Sequence, residues 1–72
     1  MLRAKFEVES LLEVAADKRL SFSAIAKQSK MAPATVERIF HGQKILLGTA
    51  TKFYHALGKD PRLKIIVAGN NG

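Results

Sequence analysis

Cysteine is absent from the 72-residue chain. That excludes a disulfide framework and a thiolate zinc site, two common supports for a small core. His41 and His55 have no carboxylate or partner histidine at ligand spacing, so no metal is expected. Long apolar runs are missing too. Ile65–Ala68 is among the longest, far short of the ~20 residues that a membrane span needs. Arg3 and Lys5 are followed by Glu7, Glu9 and Glu13, a pattern foreign to a secretory leader. There are no paired carboxylates in an enclosed segment, no nucleophile beside a base and no glycine-rich phosphate loop. An enzyme, a cofactor and a small-molecule ligand are therefore not expected.

Acidic residues are scarce as well. Twelve Lys and Arg face six Asp and Glu, for a net charge of +6 and a pI near 10.1. Glu7, Glu9, Glu13 and Asp17 all lie in the first quarter, and from Lys18 onward only Glu37 and Asp60 oppose the positive charge. Such an excess favours a polyanionic partner, because each neutralised phosphate releases condensed counterions. What is present is an ordinary globular composition, 47% apolar and 25% charged. Residues 1–72 make one small domain, and a chain this short buries only about 60% of the surface its unfolded form exposes.

Periodicity predicts helices. From about Ala4 to Arg19, Val8, Leu11, Leu12 and Ala15 form an amphipathic stripe. Early acids with Lys18 and Arg19 late complement the helix dipole. Ser21 or Ser23 caps a short second helix that runs to Ser29, with Ile25 and Ala26 inward and Lys27 and Gln28 outward. Pro33 suits the first position of a third helix. There Val36, Ile39 and Phe40 face inward, Ala34, Glu37, Arg38 and His41 face outward, and Gly42 is the stop. A fourth helix spans Leu47–Leu57, with Gly48 or Thr49 as its start and Ala50, Phe53, Tyr54 and Leu57 as its stripe. For residues 60–68 the signals conflict. Asp60-Pro61 looks like a helix cap with proline in the first turn, and Gly69 can end it. Ile65-Ile66-Val67 favours a strand. A short helix is the preferred reading, and Asn70–Gly72 are expected to fray. The predicted fold is an all-α, compact four- or five-helix domain, with a short C-terminal strand as the alternative.

A short helix, a tight turn and a helix buried on one face compose a helix-turn-helix over about residues 23–42. That geometry lays the second helix in the major groove of duplex DNA while the first crosses the backbone. The stretch from Leu20 to Gly58, LSFSAIAKQSKMAPATVERIFHGQKILLGTATKFYHALG, resembles the phage lambda Cro and repressor family. The matching positions are Leu20, Ile25, Ala26, Met31, Thr35, Val36, Arg38, Ile39, Gly42, Thr49, Leu57 and Gly58. Through Ala26, Thr35-Val36 and Arg38, the segment AKQSKMAPATVERIF is also similar to lactose-repressor-type headpieces. The resemblance implies a lambda-repressor-like fold and double-stranded DNA as partner. Three departures stand out. Lys30 occupies the turn position usually held by glycine. Phe22 stands where a phosphate-contacting glutamine is frequent. Ala32-Pro33-Ala34 replaces the polar pair that usually opens the recognition helix.

Base contacts are assigned to Arg38, Ala34, Glu37 and Pro33. Arg38 can bond guanine O6 and N7 together, Ala34 can touch a thymine methyl, and Glu37 can accept from a cytosine amine. Phosphate contacts are assigned to Ser21, Ser23, Lys27, Thr35, His41 and Lys44. The spacing of Phe6, Phe40, Phe53 and Tyr54 marks them as core, with Phe22 partly exposed at a helix start. Leu63, Ile65, Ile66 and Val67 exceed the needs of a small core and form the expected dimer contact. The functional expectation is a cytoplasmic transcriptional regulator of a bacterial cell or phage-infected host, a repressor that binds a palindromic operator as a homodimer. The alternatives are an antitoxin or phage-encoded interaction module with a protein partner, and a non-specific architectural nucleic-acid binder.

Overall fold

The computed structural model describes residues 2–68. The elements are β1 (Arg3–Phe6), α1 (Val8–Lys18), α2 (Phe22–Ser29), α3 (Pro33–Phe40), β2 (Ile45–Leu46), α4 (Leu47–Ala56) and β3 (Ile65–Ala68). The all-α expectation is thus corrected. Four helices accompany a three-stranded antiparallel sheet of order β2-β1-β3. The expectations for Gly69 and Asn70–Gly72 lie outside the described residues. Among those residues no helix is long and apolar enough to cross a membrane.

The first helix was expected from Ala4, but Arg3–Phe6 is a strand. Its alternation explains why: Ala4 and Phe6 are buried, Arg3 is exposed and Lys5 half-buried. Ala4 lies opposite both Ile45 and Val67, Phe6 opposite Ile65, and Arg3 opposite both Leu46 and Ala68. Directly opposed residues share a face, so Ala4, Phe6, Ile45, Ile65 and, at its exposed margin, Val67 lie on the inner side of the sheet. Arg3, Lys5, Leu46 and Ile66 line the outer side.

Helix α1 therefore starts later, and its stripe is shifted. Leu11, Val14 and Ala15 are buried, while Leu12 is 49% exposed. The short helix expected within 60–68 is also absent. Asp60 instead closes a turn, its Oδ1 accepting from the Arg62 backbone N–H at 2.9 Å. The chain then enters β3, where the β-branched run Ile65–Val67 fits a pleated sheet.

Helix α2 is capped by Ser21, whose hydroxyl oxygen accepts from the Ala24 N–H at 3.1 Å. Lys30 ends it in the left-handed conformation at φ 57°, and Met31 N–H returns to the Ala26 carbonyl at 3.0 Å. The turn that usually needs glycine is made here by a lysine, at a modest steric cost. Pro33 opens α3, on which Val36, Ile39 and Phe40 are buried and Ala34, Glu37 and Arg38 exposed. Gly42 follows at φ +72°, and a Cβ there would lie 3.0 Å from Val8 Cγ2. Helix α4 starts at Leu47 rather than Gly48 or Thr49, directly after the two-residue β2.

All these elements close on one apolar cluster. Its aromatic centre is Phe53, with ring centroids 5.1 Å from Phe6 and 6.2 Å from Phe40. Phe22, 43% exposed, covers Phe40 at a centroid distance of 4.5 Å. Gln28 ties α2 to the end of α4, its Nε2 donating to the Ala56 carbonyl at 2.7 Å.

Candidate nucleic-acid interface

An open groove of about 430 Å³ runs beside α3. Thr35 and Arg38 of α3 form one wall, Arg3 of β1 and Lys44 supply two further cations, and Thr49 comes from the first turn of α4. Ile45 and Leu46 line the remainder. Arg3, Arg38 and Lys44 have no ion-pair partner among the described residues. Three unneutralised cations and two hydroxyls thus share one concave surface. Each can contact a phosphate oxygen without reading a base.

Four of the six carboxylates are held in ion pairs by cations that do not line this groove. Lys18 pairs with Asp60, Lys64 with Glu7, and Arg62 with Glu13, Asp17 and Asp60. Of the acids, only Glu9 and Glu37 stand outside ion pairs among the described residues. The cations occupied in this way are Lys18, Arg62 and Lys64, none of which lines the groove. A larger groove of about 520 Å³ adjoins the first through Leu46 and Thr49. It is lined chiefly by apolar residues, with Lys52 its one charged side chain.

Of the residues expected to meet phosphate, Thr35 and Lys44 line the basic groove. Ser21, Ser23 and Lys27 are exposed on or just before α2 and do not line it. Ser21 already spends one lone pair on its cap. His41 is exposed at the C-terminal end of α3, also outside the groove. The expected base-contacting residues Pro33, Ala34, Glu37 and Arg38 are all exposed on α3. Arg38 alone of these joins the groove.

Two groove residues escaped the sequence reading. Arg3 entered only in the exclusion of a secretory leader; its alternation with Ala4 and Phe6 was a signal only four residues long. Thr49 entered only as a match to the family pattern and as a helix start, without a chemical role.

The expected dimer contact needs one change. Leu63 is 6% exposed and belongs to the domain's own core. Ile65 is half-buried against that core. Ile66 and Val67 are 46% and 55% exposed on β3, which among the described residues borders only β1. The exposed apolar side chains at the sheet edge are therefore Ile66 and Val67, on opposite faces of the strand.

Comparison of the chain with protein-family models, curated proteins and solved structures finds no match.

Proposed function

We propose that this chain is a sequence-specific double-stranded DNA-binding transcriptional regulator, a repressor that binds a partly palindromic operator as a two-fold dimer. The observation that carries this reading is the basic groove of Arg3, Arg38 and Lys44 beside the exposed face of α3. Helix α3 enters the major groove with Ala34, Glu37 and Arg38 toward base edges, and the basic groove follows the adjacent phosphates. A dimer on a site overlapping a promoter excludes polymerase, which is sufficient for repression. The resemblance to the Cro and repressor family supports the same reading, and three of its matching positions, Thr35, Arg38 and Thr49, line the groove.

The test is selection of binding sites from random duplex DNA, followed by titration against scrambled DNA at physiological salt. The expected winner is palindromic and bound at least about a thousand-fold more tightly than scrambled DNA. Arg38→Ala relaxes preference at one position of each half-site. Arg3→Ala and Lys44→Ala weaken all sequences alike and flatten the salt dependence by about one unit for each phosphate left unneutralised. Equal affinity for every sequence would replace this reading with an architectural binder.

A further inference from the structure

The leading end of α3 offers almost nothing that can hydrogen-bond a base. Ala32, Pro33 and Ala34 are exposed in succession, and Ala32 provides no side-chain cap. Pro33 has no N–H, and the N–H groups of Thr35 and Val36 both return to the Ala32 carbonyl, at 3.0 and 3.3 Å. The hydroxyl-bearing Thr35 is half-buried and lines the basic groove. What remains at the tip is the Ala34 N–H, which has no backbone acceptor, and a run of carbon atoms ending in the Ala34 methyl. In the major groove the apolar feature offered by a base pair is a methyl at pyrimidine C5.

We infer that Ala34 reads the C5-methyl of a pyrimidine, so that 5-methylcytosine is accepted in place of thymine and unmodified cytosine is discriminated against. This rests on the DNA-binding reading above. Ala34 and Arg38 are one helical turn apart on the same exposed face, about 6 Å along the axis. That span covers about two base-pair steps at 3.4 Å each. The guanine held by Arg38 therefore lies within two steps of the methylated pyrimidine. Glu37, between them and without an ion-pair partner among the described residues, faces the same region and disfavours a phosphate there.

The experiment uses the full chain and its selected duplex. Each thymine of the half-site is replaced in turn by deoxyuridine, which removes the methyl and leaves the pairing edge intact. One position per half-site should lose about four-fold in affinity, and symmetric replacement about ten- to fifteen-fold. Replacing that T·A pair by 5-methylcytosine·G should bind about four-fold more tightly than cytosine·G. Ala34→Gly, shown by thermal melting to be folded, should bring the thymine-to-uracil ratio close to one. Equal affinity for thymine and uracil at every position overturns the inference while leaving the regulator reading standing. Failure to select any site overturns that reading, and this inference with it.

Discussion

Arg62 reaches across 45 residues to Asp17, its Nη2 donating to Oδ2 at 3.0 Å. The same nitrogen donates to Asp60 Oδ2 at 2.9 Å, and Nε donates to Asp60 Oδ1 at 3.1 Å. One guanidinium thereby joins the end of α1 to the turn that launches β3. It also occupies three of the six acids, Glu13, Asp17 and Asp60. Exposed ion pairs of this kind contribute little stability singly, and their consequence here is where the charge lies.

The first prediction concerns acid. Hydrogen bonds from the Arg62 side chain and backbone hold the Asp60 carboxyl at about 2, well below its ordinary value. Asp60 also raises the Arg62 guanidinium, which stays charged throughout. Because the folded form binds this proton less readily than the unfolded chain, Asp60 stabilises the fold above about pH 4. Its contribution is lost as pH falls from about 4 through about 2. Thermal melts over that range should show a drop in Tm that is smaller in Asp60→Asn. The same slope in the variant would assign the acid sensitivity to other carboxylates.

Two backbone positions make opposite predictions. Gly42 has φ +72° and would place a Cβ 3.0 Å from Val8 Cγ2, so Gly42→Ala meets both backbone strain and a close contact. It should cost about 1–2 kcal/mol, a fall in Tm of about 4–16 °C. Lys30 holds φ 57°, a left-handed conformation that costs a residue with a Cβ more than it costs glycine. Lys30→Gly should therefore stabilise by about 0.5–1 kcal/mol in urea melts. If Lys30→Gly destabilises instead, the lysine side chain contributes more than its backbone strain costs.

These positions also show what the sequence made legible. The turn at Lys30, the stop at Gly42 and the inward faces of α3 and α4 follow from local signals, namely spacing, proline and glycine. The sheet does not. Four residues of β1 and two of β2 are too short to establish a period, and β1 meets β3 only across some 60 residues of chain. Asp60-Pro61 carried a local signal for a helix start, but it marks a turn whose geometry depends on Arg62. The candidate site divides the same way. Thr35, Arg38 and Lys44 were visible on or beside a periodic helix, whereas Arg3 joins them only because the sheet brings β1 alongside.

The exposed edge of that sheet carries the last prediction. Strand β3 pairs with β1 on one side, and its other edge is open among the described residues. Ile66 and Val67 are exposed there and β3 carries no charge or proline, the usual guards of an edge. Two copies joined antiparallel along β3 would add ladder hydrogen bonds and cover both side chains. The joined copies would also place two α3 helices about a two-fold axis. The wild-type chain should sediment as a dimer at micromolar concentration. Val67→Lys should sediment as a monomer with nearly unchanged Tm, because the side chain lies outside the core. It should lose affinity for a palindromic site while binding a single half-site as wild type does. A Val67→Lys dimer would move the interface elsewhere, and a monomeric wild type bound to full-length operator would remove the dimer altogether.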